Sequence, residues 1–239
     1  MNDTAAPTTA PVTLTLVRHG QTVLNVLRHL QGASDSPLTP TGEVGVRVTA
    51  QHLSTHAFDV AYSSPQPRAL TTATAICGHH TGLRPRLHAG LRELDFGSYE
   101  RLAESEMELT HPWREFVPAM LAGRHPGVPG GESGSAFMAR VRETFAEIVA
   151  THAGERVLVV GHGLTLGAYL AVLGAGEGLV ALPNASVTRL VVGPEGLREV
   201  LELATDVAGH GHVAARPAPA RPRGMRADEL FADGVLADH

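Results

Sequence analysis

Three short apolar runs constrain this chain more than any other feature. Residues 12–17 (VTLTLV), 58–62 (FDVAY) and 157–160 (VLVV) are rich in β-branched residues and nearly continuous. That is the pattern of strands covered on both faces. Longer segments of helical character separate them, so the chain reads as α/β, a three-layer α/β/α domain around a mostly parallel central sheet. A helix is expected from the cap and proline of Leu38-Thr39-Pro40-Thr41-Gly42 to about His56, and another from Pro65 through Cys77. The firmest helical stripe is Phe137, Val141, Phe145 and Ile148, within residues 133–151. Residues 186–192 and 197–203, separated by GPEG, resemble an antiparallel hairpin.

A chain of 239 residues, 43% hydrophobic, can bury one sizeable core. Its net charge of -5 offers no basic field for nucleic acid, and no polybasic run suggests a membrane surface. The most apolar stretch, 164–175, is too short to span a bilayer. Residues 1–11 lack the basic and apolar regions of a secretory signal and read as a disordered lead. One cysteine, Cys77, excludes an intrachain disulfide and fits a cytoplasmic setting. From about residue 206 the composition turns to Ala, Arg, Gly and Pro, so 206–239 is expected to be a flexible tail, with 227–236 (ADELFADGVL) at most a short amphipathic turn.

Each apolar run ends in a polar cluster: Arg18-His19-Gly20-Gln21-Thr22, then Ser63-Ser64-Pro65 with Arg68 beyond, then Gly161-His162-Gly163. In an open α/β sheet ligands bind beyond the carboxyl ends of strands, so these clusters should converge on one crevice. Singly, each histidine or arginine is more often structural or solvated. Together they suit a phosphate dianion: Arg18 and Arg68 to grip its oxygens bidentately, and a neutral His19 nitrogen to attack phosphorus. Gly20 and Gly163 would let the backbone approach the ligand closely.

These segments resemble the histidine phosphatase superfamily, which includes the cofactor-dependent phosphoglycerate mutases. RHGQT at 18–22 is similar to the family signature, SSPQPRALTTA carries Arg68, VVGHG carries His162, and LRELDFGSYE carries Glu93. The resemblance implies a phosphoglycerate mutase-like fold with a catalytic domain over 12–205. It also implies His19 as the phosphorylated nucleophile, His162 as the second histidine and Glu93 as proton donor, with Asp95 as the fallback. A bound phosphate dianion would disfavour ionised Glu93, as a general acid requires. Arg18, Asn25, Gln31, Gly32, Arg68 and Gly163 fall where the family holds phosphate and substrate. A glycine commonly follows the family's aromatic-acidic pair, whereas here Tyr99-Glu100 is followed by Arg101. GGES at 130–133 is read as a loop and helix cap.

The mutases of the family carry a longer insertion with adjacent arginines between glutamate and second histidine. Here 69 residues separate Glu93 from His162, with no Arg-Arg pair between them. The expected activity is therefore that of a histidine-type acid or broad phosphatase, a metal-independent phosphomonoester hydrolase without cofactors. A mutase or a non-catalytic phosphate-binding member is the alternative. No HExxH motif or Cys/His array suggests a metal among the 14 histidines. Residues 101–131 are expected to form a lid, where Trp113, Arg114, Phe116 and Met120 either line the pocket or anchor the lid to the core. The expected partner is a small phosphorylated substrate, and a homodimer is compatible with the sequence.

Overall fold

In a computed structural model, residues 10–175 and 182–209 are described. The chain runs β1 (Val12–Arg18), α1 (Val23–Val26), α2 (Pro40–Leu53), β2 (Val60–Ser63), α3 (Pro67–Cys77), β3 (Pro85–Leu87), α4 (Glu104–Thr110), α5 (Trp113–Leu121), α6 (Gly134–Thr151), β4 (Arg156–Gly161), α7 (Gly163–Val172), β5 (Val187–Gly193) and β6 (Gly196–Thr205). The six strands form one sheet in the order β3-β2-β4-β1-β5-β6. The pairings of β3 with β2, β2 with β4, and β4 with β1 are parallel. The β5–β6 hairpin adds antiparallel to β1, so the sheet is mostly parallel with one antiparallel edge.

The continuous apolar runs have a direct structural cause. Along β4, Val157 and Val159 enter one apolar cluster while Leu158 and Val160 enter the other. Along β1, Leu14 and Leu16 face the first cluster and Val17 the second. Successive side chains point to opposite faces, so a strand buried on both sides needs apolar residues at nearly every position. The first cluster is closed by α4 to α7, including Phe137, Val141, Phe145 and Ile148, and the second by α2 and α3.

Several elements differ from the sequence reading, among them the strand expected over 58–62, which is Val60–Ser63. The first long helix is capped by Thr39, whose side chain accepts from the Gly42 amide, with Pro40 in the first turn; it ends at Leu53 rather than near His56. The next begins at Pro67, not Pro65, because Gln66, its N-cap, is still extended and its amide donates to the Ser64 hydroxyl. The short strand β3 was not anticipated, since Pro85-Arg86-Leu87 carries little apolar signal. Ser133 caps α6, as the loop-and-cap reading of GGES expected.

Within residues 101–131, Trp113, Phe116 and Met120 are buried in the first apolar cluster and Arg114 is exposed on the same helix. The aromatic residues therefore anchor this segment to the core. Arg101 adopts φ +67°, the left-handed region that glycine enters freely. Lead residues 1–9 and tail residues 210–239 lie outside the described residues. No helix among the described residues is long and apolar enough to cross a membrane.

Candidate active site

The ends of β1, β2 and β4 do converge. Past the strands, the His19 amide donates to the Gly161 carbonyl at 3.0 Å and the Ser64 amide to the Val160 carbonyl at 3.0 Å. Sheet hydrogen bonding thus extends into the loops and fixes their relative heights. The His19 and His162 rings lie with centroids 5.2 Å apart, tilted by 58°. Arg18, His19, Arg68, Glu93 and His162 are all buried.

His19 Nδ1 lies 2.8 Å from the carbonyl oxygen of Gly20. A carbonyl accepts only, so Nδ1 carries the hydrogen and Nε2 the lone pair. Burial, followed by the positive charges of Arg68 and Arg18, holds the ring well below the usual histidine range; the Gly20 carbonyl opposes them. The imidazole is therefore neutral at physiological pH. Its backbone carbonyl accepts from the Ala185 amide and from Asn184 Nδ2, both at 3.1 Å.

His162 is held neutral in the same way, by burial and then by Arg68, His19, Arg18 and Arg140. Its Nε2 lies 2.8 Å from Ser64 Oγ, while Nδ1 is buried without a partner among the described residues.

Arg68 spends its terminal nitrogens on the loop after α1. Nη1 donates to the Ser34 carbonyl at 2.8 Å and to Asp35 Oδ1 at 2.9 Å; Nη2 donates to the Gln31 and Gly32 carbonyls at 3.1 and 3.0 Å. Only Nε lacks a partner among the described residues. The bidentate grip expected of both arginines is therefore not the arrangement of Arg68 here: its fork braces the loop. Arg18 donates from Nη1 to the Leu182 carbonyl.

Gln31 contributes its carbonyl to Arg68, and its Nε2 is buried without a partner among the described residues. Thr22 joins it to Asn25: the Thr22 hydroxyl lies 2.6 Å from Gln31 Oε1 and accepts from the Asn25 amide at 3.3 Å. Asn25 Oδ1 in turn accepts from the Thr22 amide at 3.0 Å, closing a capping box on α1.

Gly32 serves packing: a Cβ there would lie 1.9 Å from the Leu94 carbonyl oxygen, and its amide donates to Glu100 at 3.2 Å. Gly20 packs closely on α2, where a Cβ would meet Val46 at 2.4 Å. Gly163 does face the site, with Arg18 Nε 3.5 Å from where its Cβ would be.

Glu93 caps α7. Its Oε2 accepts from the Leu164 amide at 2.9 Å, and its Oε1 from the Thr165 amide and hydroxyl, both at 3.0 Å, and from the Leu94 amide at 2.9 Å. A carboxylate is favourable at a helix N-terminus. Asp95 is turned elsewhere, accepting from the Gly97 amide at 2.8 Å.

Four positioning residues escaped the sequence reading. Gln66 joins two parts of the site, accepting from the Glu93 amide at 3.0 Å and donating to the Gly32 carbonyl. Glu100 accepts from the Gly32, Ala33 and Ser34 amides and so fixes the loop that Arg68 braces. Thr165 and Asn184 hold Glu93 and His19 as described above. Thr165 follows His162 by three residues, a spacing that a search for helix caps would have found; nothing in the sequence around Asn184 marks it. Among the described residues, no group of three or more His, Cys, Asp or Glu side chains is placed to hold a metal ion.

The model of the histidine phosphatase superfamily (branch 1) matches residues 14–205. The chain belongs to that superfamily.

This chain is 37% identical over 184 residues to a probable phosphoglycerate mutase GpmB of Serratia proteamaculans, covering 73% of this chain and 82% of that protein. Its fold is similar to that of a phosphoglycerate mutase from Bacillus anthracis, with TM-score 0.71 and 27% identity over 84% of this chain and 96% of that one. It is also similar to a mycobacterial glucosyl-3-phosphoglycerate phosphatase, with TM-score 0.66 and 28% identity over 80% of this chain and 98% of that one. The superfamily thus places mutase-named and phosphatase-named proteins at comparable distances from this chain.

Proposed function

We propose that the chain is a metal-independent phosphomonoester hydrolase working through a phosphohistidine on His19, with Glu93 as proton donor. The observation that carries this reading is the 2.8 Å contact between His19 Nδ1 and the Gly20 carbonyl in a ring that burial and two arginines keep neutral. A neutral imidazole with its lone pair on Nε2 is a nucleophile ready for phosphorus.

In the first half-reaction Nε2 attacks phosphorus, the ester P–O bond breaks, and the leaving oxygen takes its proton from Glu93. In the second, water attacks phosphorus and gives its proton to the Glu93 carboxylate. The P–N bond then breaks and phosphate leaves. Arg18, Arg68 Nε, His162 and Gln31 Nε2 supply cationic or hydrogen-bonding donors for the transferring oxygens. Two of these, Arg68 Nε and Gln31 Nε2, are buried donors without partners among the described residues, and buried donors are ordinarily satisfied.

The name of the Serratia relative favours a second reading, phosphoglycerate mutase activity. Against it stand the short segment between Glu93 and His162 and its lack of paired arginines. Phosphate release from an aryl phosphate in EDTA, for the unmodified protein and His19→Ala, tests the proposal. Turnover that persists in chelator and vanishes in the variant supports it, and activity surviving without His19 refutes the mechanism. Interconversion of 3- and 2-phosphoglycerate without phosphate release would establish the mutase instead.

A further inference from the structure

Two helices hold Glu93 by different parts. The N-terminus of α7 fixes its carboxylate, as described above, and α6 fixes its main chain. Arg140, on α6, donates from Nη1 to the Gly90 and Arg92 carbonyls at 2.8 Å each, and from Nη2 to the Glu93 carbonyl at 3.5 Å. Its Nε and Nη2 also donate to the two Glu132 carboxylate oxygens, at 2.9 and 2.6 Å. A guanidinium has five N–H groups, so each of them is committed. We infer that Arg140 is a positioning residue for the proton donor: its fork sets where the Glu93 main chain lies, and so where the carboxyl meets the leaving oxygen. The inference rests on the proposal that Glu93 is that donor.

The two holds respond differently to the proton that Glu93 must carry. Bonds from the α7 amides to an ionised carboxylate are charge-assisted, and they weaken when the carboxyl takes up the proton it is to deliver. The bonds from Arg140 end on main-chain carbonyls, whose acceptor strength does not depend on that proton. The clamp therefore keeps its grip in both protonation states that the two half-reactions require. Placement matters at this scale, because a misplacement of about 1 Å can cost about 10²-fold in rate. Glu132 balances the guanidinium, and its own amide donates to the Asp95 carbonyl at 3.0 Å. It directly follows residues 101–131, so the end of that segment is latched to the loop that carries the acid. A lysine has three donors and no planar fork, and cannot reproduce the arrangement.

Phenyl and p-nitrophenyl phosphate test this, because they differ by one nitro group and the nitrophenolate leaves with far less help from an acid. The ratio of their kcat/KM values, p-nitrophenyl over phenyl, reads the quality of acid catalysis in the phosphoryl-transfer step. Both values come from one preparation, so the ratio is independent of the fraction of folded enzyme. Arg140→Lys should raise it about fivefold, in the same direction as Glu93→Gln, and Glu132→Gln should raise it about twofold. A purely structural role for Arg140 would lower both rates in parallel; an unchanged ratio in Arg140→Lys, with or without that fall, overturns the inference. Should that variant fail to fold, Glu132→Gln carries the same decision. Glu93→Gln separates the two levels: if it moves the ratio and Arg140→Lys does not, the positioning role alone is lost. If Glu93→Gln leaves the ratio unmoved, or the unmodified protein releases phosphate from neither ester, the proton-donor reading falls and the inference with it.

Discussion

Glu93 Oε1 accepts from both the amide and the hydroxyl of Thr165 at 3.0 Å, so the proposed proton donor is also the cap of the helix that follows His162. His162 offers no side-chain cap of its own. One carboxylate thereby ties the loop after β3 to the end of β4, and the acid and the second histidine keep their spacing through a shared helix terminus.

That double duty separates two substitutions. Glu93→Gln preserves shape and one acceptor oxygen, so it should lower kcat by roughly 10²- to 10⁴-fold with a small loss of stability. Glu93→Ala should match that loss of kcat and also cost about 1–3 kcal/mol, because buried amides lose their acceptor. Steady-state kinetics and urea unfolding of both variants check this. Equal stability of the two would show that the cap contributes nothing.

Both site histidines make stability depend on acid. Each is neutral in the fold at a pH where the unfolded chain, titrating near 6.5, begins to bind protons. The unfolded state then holds more protons, so stability rises with pH. The stabilisation is complete above about 6.5 and is lost as pH falls toward the depressed folded values. The slope reaches at most about 1.4 kcal/mol per pH unit for each histidine. Urea midpoints between pH 7.5 and 5.5 should show it, and a His19→Gln/His162→Gln double variant should flatten the slope. An unchanged slope would sink the attribution.

Arg101 sits in the left-handed region at φ +67°, where a side chain costs about 1–2 kcal/mol. Glycine removes that cost and returns about half through its greater freedom in the unfolded chain. Arg101→Gly should therefore raise Tm by a few degrees. A lower Tm would mean that the contact from Arg101 Nη1 to the Asp35 carbonyl, at 3.2 Å, outweighs the backbone.

Cys77 is buried at the end of α3, and burial pushes its thiol up to about 11. At pH 8 it should resist alkylation in the native protein and react stoichiometrically in denaturant. Rapid native labelling, read by mass, would contradict the burial.

The sheet and the paired histidines were legible in the sequence because they rest on local signals. A strand buried on both faces writes an unbroken apolar run, as in residues 157–160, and the loop beyond it displays its polar residues in order. The lining of the site was less legible because its contacts cross the chain. Nothing local in Gln66 shows that it meets the Glu93 amide, and nothing in Glu100 shows that it closes the loop at Gly32. Asp35 likewise looks like a loop acid until Arg68 is found against it. The packing at Gly20 was hidden for the same reason: its tight neighbour is a helix that lies later in the sequence.

The interleaving of β4 between two apolar layers has a kinetic consequence. Val157 and Val159 belong to one side of the domain, Leu158 and Val160 to the other, so neither layer can come apart without exposing the strand that supports the second. Amide hydrogens of β4 should be among the slowest to exchange, opening only with the whole molecule. His162, one residue past that strand, is tethered to the part of the chain that lets go last, so heating should abolish the constellation and the fold in a single step.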